Sequence, residues 1–184
     1  QLDSKMNALS GKIKALEAAK RSACGSGTFH AVRTVMDAAN ADLQNLGPDR
    51  VFGALVDLFQ VDEKFTIAAE VTAGNSLTHI VVDTDKTAAR LVRVLQDRCA
   101  GRATFIPINR LAAERGRNDS RAQVSNADSI PLINKIRCDD RIRPAVDQVF
   151  GRTLITRTVD VASQMSRMHD VNCVTLDGDQ VNKQ

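Results

Sequence analysis

His30, His79 and His169 are the three imidazoles of this 184-residue chain. No carboxylate, cysteine or second histidine stands at a spacing from any of them that would build a metal site or activate a nucleophile. His79 falls in a predicted strand, where a hydrogen-bonded structural role is the plainer reading. Cys24, Cys99, Cys138 and Cys173 form no C-x-x-C pair. They read as reduced, mostly buried small hydrophobes of an intracellular protein, because no basic-then-apolar leader pattern opens the chain. Asp83 and Asp85 have the spacing of a carboxylate pair, but helix capping explains both more simply. Asp177-Gly178-Asp179 lacks the further oxygens of a calcium loop and reads as a turn. Asn118-Asp119-Ser120 is a chance sequon, and no phosphate-cradling G-x-x-x-x-G-K-[ST] occurs. Gly25-x-Gly27 follows a helix where a dinucleotide loop would follow a strand. No catalytic residue, metal or cofactor is assigned, and the chain is expected not to be an enzyme.

Cations are the remaining chemistry. The net charge is only +3, but residues 1–35 carry +4 and residues 135–157 carry +3. Such clusters suit phosphates or merely keep a surface solvated. With no Trp or Tyr and six Phe, stacking platforms for single strands are not expected.

These groups must be held by a core of Val, Ile, Leu and Ala. Hydrophobic residues make up 43% and charged residues 26%, as in ordinary globular domains. The apolar runs fall far short of the roughly 20 residues that span a bilayer. No membrane partner is expected.

Leu2, Met6, Leu9, Ile13 and Leu16 are spaced 4, 3, 4, 3, the seam of a coiled coil that needs a partner strand. Ser26 or Thr28 can cap a helix carrying Val32, Val35, Met36, Ala39, Leu43 and Leu46, stopped by Gly47-Pro48. Gly53–Val61 predicts a strand. Asp62 can cap a helix with Phe65, Ala68, Ala69 and Thr72 on one face, ending at Gly74.

From there the chain repeats itself. Gly74, Leu77, Val82, Asp83 and Arg90 recur 77 positions later as Gly151, Leu154, Val159, Asp160 and Arg167, five identities in 17 positions. Each copy predicts a glycine turn, a strand, an Asp-capped helix and a further strand (103–108 and 173–176). A helix over 141–150, with Ile142, Val146, Val149 and Phe150 on one face, precedes the second glycine. The polar stretch 112–129 suits a connecting loop. The chain therefore divides into an arm (1–24), a first α/β half (25–111), the connector (112–129) and a second half (130–184). Each half is near the lower size limit for a core, so the two should pack together or on a partner.

Four strings carry a resemblance. Glu70-Val-Thr-Ala-Gly-Asn-Ser-Leu-Thr-His-Ile-Val-Val-Asp83, Ala103-Thr-Phe-Ile-Pro-Ile-Asn-Arg-Leu111, Val149-Phe-Gly-Arg-Thr-Leu154 and Val174-Thr-Leu-Asp-Gly-Asp-Gln-Val181 resemble the hinge domain of structural-maintenance-of-chromosomes (SMC) proteins. The resemblance covers about residues 28–181, and the second and fourth strings are most similar to the third SMC subunit of eukaryotic cohesin. It implies an α/β (α+β) fold of two pseudo-repeated subdomains preceded by a coiled-coil stub, in a nuclear, chromosomal protein. It also implies a heterodimer with the hinge of the first cohesin SMC subunit, made through two separate contacts around a small channel. ATP hydrolysis would belong to head domains elsewhere.

On that reading Asp85, Val92, Phe105 and Gly178 are expected at the dimer interface, where edge strands would find partner strands. Val92 could equally be core, in a stripe with Ala88, Leu91 and Leu95. Lys135, Arg143, Arg152, Arg157 and Arg167 are expected to bind double-stranded DNA weakly and without sequence preference. A stand-alone DNA-binding module, or a small ligand-binding or enzymatic domain, would be the alternatives.

Overall fold

The computed structural model describes residues 26–47, 49–114 and 128–182. The heptad arm, Cys24, the sequon and most of the connector lie outside the described residues.

One plan is built twice. In the first sheet, β1 (Val51–Ala54) runs antiparallel to β3 (Ile80–Val82), which runs parallel to β4 (Phe105–Pro107). In the second, β5 (Ser129–Pro131) is antiparallel to β7 (Thr153–Thr156), and β7 is parallel to β8 (Asn172–Thr175), whose other side carries β9 (Gln180–Val181). Parallel neighbours need a crossover. Helix α4 (Asp85–Asp97) supplies it in the first half and α7 (Val159–His169) in the second.

The duplication is real in topology, but its register is not the one the identities suggest. A 77-residue offset sets Val82 of β3 against Val159, which lies in α7. The structural counterparts are Thr84 and Thr158, 74 positions apart, each capping its crossover helix. The first copy has a longer connection: a 3-10 turn over Gly74–Thr78 intervenes before β3, whereas β7 starts two residues after Gly151. The caps are also threonines, not the expected aspartates. Asp83 instead accepts the Thr84 amide at 2.6 Å, and Asp160 lies inside α7.

Each sheet separates two layers. Ile80 and Val82 face α1 (Ser26–Ala41) and α4, packing with Ala31, Val35, Leu91 and Leu95. Leu154 and Cys173 likewise face α7 with Ala162 and Met165. The opposite faces, through Val81, Ile106, Ile155 and Val174, share a central core. That core takes Leu55, Phe65 and α3 (Thr66–Ala73) from the first half. From the second it takes Leu132, Ile136 and α6 (Arg143–Phe150). Two small halves thus bury one face each against the other, as their size requires.

Several local expectations change. The predicted 53–61 strand is two strands: a 3-10 turn at Leu55–Asp57 separates β1 from β2 (Phe59–Val61), and β2 pairs across the molecule with β6 (Ile136–Cys138). Buried Leu55 anchors that turn, while the β-branched composition gives no sign of a change of sheet. Asp62 makes no side-chain cap; a 3-10 turn precedes α3, and the carboxylate lies 3.8 Å from Arg137. Thr28 lies inside α1, and the helix breaks at Asp42 before the short α2 (Leu43–Leu46). Of the expected connector, α5 (Ile108–Glu114) reaches into its start and buried Ser129 opens β5 at its end. Cys99 is exposed, in a turn with φ 48, where a buried thiol was expected; Cys138 is half-buried and Cys173 buried.

Candidate interaction surfaces

Asp85 and Val92 stand seven residues apart, two turns of α4, and so share one flank of it. The buried column of that helix is Thr87, Leu91 and Leu95. Val92 lies beside the column and is 39% exposed, so it is not core. Asp85 is tied to the far end of β4: its carboxylate accepts Asn109 Nδ2 at 3.2 Å and Arg110 at 3.1 Å, and its amide donates to Asn109 Oδ1 at 3.2 Å. Hydrogen bonds from Arg110 and then Asn109 hold the carboxyl below the usual carboxylate value. This clasp fixes the start of α4 against the start of α5. Asn109 and Arg110 were missed in the sequence, where nothing marks them as the partners of Asp85.

Phe105 is half-buried on β4, packed toward α1 and α4, while Ile106 points into the central core. Strand order β1-β3-β4 leaves β4 at the sheet's edge. Asp85, Val92 and Phe105 therefore share one corner of the first half.

Gly178 is elsewhere. It sits in the β8–β9 turn at φ +98, its amide donating to the Thr175 carbonyl at 3.2 Å. Thr175 also caps the turn, receiving the Asp179 amide on its hydroxyl at 3.0 Å. A Cβ at Gly178 would meet Ile67 Cγ2 at 3.0 Å and Val71 Cγ2 at 3.4 Å. Gln180 Nε2 donates to the Val71 carbonyl at 3.2 Å. The turn is thus seated on α3, beside edge strand β9. Ile67, Val71 and Leu176 are exposed apolar residues around this seat. Sequence reading took only one face of α3; Ile67 and Val71, four apart on its other side, were the available signal.

The five expected DNA contacts do not form one surface. Arg143 is half-buried and committed inward, donating to Asp147 at 3.1 Å and to the carbonyls of Ile136 and Ile133 at 3.4 and 3.5 Å. Lys135 stands over the Phe65 ring at 5.7 Å. Arg157 lies 3.7 Å from Asp128. Arg152 precedes β7, and its carbonyl accepts the Asn172 amide at the start of β8. Because α7 runs back against these strands, Arg167 near its end lies at the same end of the sheet as Arg152, with Arg157 at the other.

A groove of about 470 Å³ runs between α1, β2 and α3, lined chiefly by apolar groups such as Phe29, Val32, Phe59, Ala69 and Leu77. None of the residues with displaced titration lines it. Those are His79, pushed down by burial, Cys138 and Cys173, pushed up by burial, and Asp85 and Asp139, held down by hydrogen bonds. A thiol pushed up is the opposite of an activated nucleophile. Among the described residues no three His, Cys, Asp or Glu side chains come together as a metal site, and no helix is long and apolar enough to cross a membrane.

Residues 48–166 match the model of the SMC proteins flexible hinge domain, a span that runs from β1 through most of α7 and stops before β8 and β9. The chain belongs to the SMC hinge family. It is 43% identical over 133 residues to structural maintenance of chromosomes protein 3 of Arabidopsis thaliana, covering 72% of this chain and 11% of that protein. It is 42% identical over 171 residues, 91% of this chain and 13% of the relative, to a Cryptococcus neoformans protein named urease accessory protein 2. The chain thus spans little more than a tenth of these relatives. Among solved structures, an asymmetric dimer of the Geobacillus stearothermophilus SMC hinge matches with TM-score 0.70 at 23% identity, over 99% of this chain and 72% of that one. The folded elbow of cohesin matches with TM-score 0.68 at 30% identity, over 99% of this chain and 27% of that one. The expected hinge fold of two related α/β halves is the fold found.

Proposed function

We propose that this hinge is the dimerisation domain of a cohesin SMC subunit of the third kind and pairs with the hinge of the first, in the nucleus and on chromosomes. The likeness to the Arabidopsis protein and to the cohesin structure supports the subunit assignment. The observation that carries the mode of pairing is the open edge of β4, with Phe105 on it and exposed Val92 beside it. A partner strand added there would satisfy the edge amides and carbonyls, and Val92 would supply apolar contact. The second contact uses the β9 edge, positioned by Gly178 on α3. One contact lies in each half, so two hinges meeting head to tail touch twice and enclose a channel between them.

The domain acts by binding, without catalysis of its own; ATP hydrolysis lies with other parts of the full-length subunit. Arg152 and Arg167 offer the freer cations to DNA, with Lys135, Arg143 and Arg157 contributing field from behind their present partners.

Analytical ultracentrifugation of the chain alone, and mixed with the hinge of the first cohesin SMC subunit, tests the pairing. A 1:1 complex that persists at nanomolar concentration and is weakened by Val92→Lys supports it. A chain that ignores that partner and stays monomeric at micromolar concentration refutes the subunit assignment. A complex indifferent to Val92→Lys and to Phe105→Asp moves the interface off the α4–β4 corner.

A further inference from the structure

Strand β4 is left open by the way its chain departs. In the second half the equivalent strand is covered: the chain turns back after Thr175, whose amide donates to the Asp179 carbonyl at 2.9 Å, and β9 pairs along β8 with Val181 opposite Cys173. Val82 and Thr156 each stand two residues before a capping threonine, and they pair with Pro107 and Thr175. Phe105 and Pro107 are therefore the counterparts of Cys173 and Thr175. Among the described residues no strand covers the outer side of β4. Pro107 ends that strand, and Ile108 opens α5 with no turn between them. Hydrogen bonds hold this departure. The Asn109 amide donates to the Asp83 carbonyl at 3.1 Å, and the Asp85 carboxylate accepts Asn109 Nδ2 at 3.2 Å and Arg110 at 3.1 Å. Asn109 stands two residues past Pro107, where the second half has Asp177 in its turn toward β9. Because the Ile80 amide donates to the Thr104 carbonyl, alternation turns the backbone groups of Phe105 and Pro107 away from β3. Proline has no N–H, so the open edge presents the Phe105 N–H and the carbonyls of Phe105 and Pro107.

We propose that Asn109 and Arg110 are positioning residues of the dimer contact: acting through Asp85, they lead the chain into α5 and so keep the β4 edge free and fixed for a partner strand. An edge met at so few backbone groups tolerates little displacement, and one ordered in advance binds more tightly than one that must be ordered on contact. The clasp itself adds little to folding, since Arg110 is 68% and Asp85 41% exposed and solvent screens such a pair. Affinity and stability therefore come apart at these residues. The proposal rests on the reading that β4 takes a partner strand, and adds to it what holds the edge open.

Calorimetric titration with the hinge of the first cohesin SMC subunit tests it, beside urea midpoints and hydrogen exchange at the Phe105 amide. The proteins are wild type, Asn109→Ala, Arg110→Ala, Asp85→Ala, the double variant Asp85→Ala/Arg110→Ala, and Phe105→Asp. Each single clasp variant should weaken binding roughly tenfold, the cost of ordering two or three side chains on contact, with a urea midpoint close to wild type. The Phe105 amide, protected in the wild-type complex, should lose protection in theirs. The double variant should bind as Asp85→Ala does, because Arg110 acts through that carboxylate. A double variant that loses the two effects in sum shows Arg110 touching the partner itself, and overturns the positioning role. So does a loss of affinity that tracks a loss of stability. Clasp variants with wild-type affinity, while Phe105→Asp abolishes binding, overturn the role of Asn109 and Arg110 and leave the β4 contact standing. Wild-type affinity in Phe105→Asp as well, or a wild type that binds no hinge, overturns both.

Discussion

Thr84 and Thr158 hold the same place in the two halves: each hydroxyl accepts the amide three residues on, Thr87 at 3.3 Å and Val161 at 3.4 Å, and so starts a crossover helix. Thr84 does more than its counterpart, since its hydroxyl also lies 3.2 Å from Asp83 Oδ1 and 3.0 Å from the Thr87 hydroxyl. Removing a capping hydroxyl costs about 1 kcal/mol. Thr158→Ala should lower stability by about that amount and Thr84→Ala by more, read from urea midpoints. The double variant should show the sum, because the caps share no partner.

Gly178 cannot take a side chain without cost. Its φ of +98 disfavours any Cβ, and Ile67 stands 3.0 Å from where one would be. Gly178→Ala should destabilise by about 1–3 kcal/mol. Adding Ile67→Ala should return part of the loss, since it clears the nearer contact but leaves the backbone conformation strained. An equal loss with or without Ile67→Ala would show that the steric contact is not felt.

Phe150 is fully buried in the central core and meets Phe59 edge-on at 5.2 Å between ring centres. Phe150→Ala should cost about 3–5 kcal/mol. Because the two halves share this core, they should unfold in one transition. Probes placed in each half, such as hydrogen exchange at Ile80 and at Leu154, would then report the same midpoint; two separated midpoints would contradict a shared core.

Burial lowers the pKa of His79, so the folded state favours the neutral ring. In the unfolded chain the ring takes its proton near pH 6.5. Between that pH and the lower folded value the unfolded state binds more protons, so stability is full above the ordinary imidazole pKa and declines as pH falls toward the folded one. His79→Gln should flatten that part of the stability–pH curve.

The sequence made the repeat and its glycine punctuation legible, because Gly74 ends α3 with φ +49, a conformation that disfavours other residues, and a Cβ at Gly151 would collide with the Asp147 carbonyl oxygen. It misplaced the register, because the spacing of five identities outweighed the capping chemistry of two threonines. Val92 was legible as exposed only by its position relative to Leu91 and Leu95. Arg143 was not legible at all: as a letter it matches Arg152, and only the fold shows that its guanidinium faces Asp147 and two carbonyls. The seat of Gly178 on Ile67 joins residues more than a hundred positions apart, beyond any local pattern.

The β2–β6 ladder has a consequence for synthesis. It pairs Phe59 with Cys138 and Val61 with Ile136, so β2 leaves the ribosome long before its mate exists. At roughly 5–20 residues per second the wait is on the order of 4–15 s, with one sheet edge and half of the central core still uncovered. Newly made first halves in a crowded polysome therefore present the same strand to one another that they will later give to β6. The interval in which this protein is most open to mispairing is set by the stretch of chain between β2 and β6, most of it the rest of the first half and the connector.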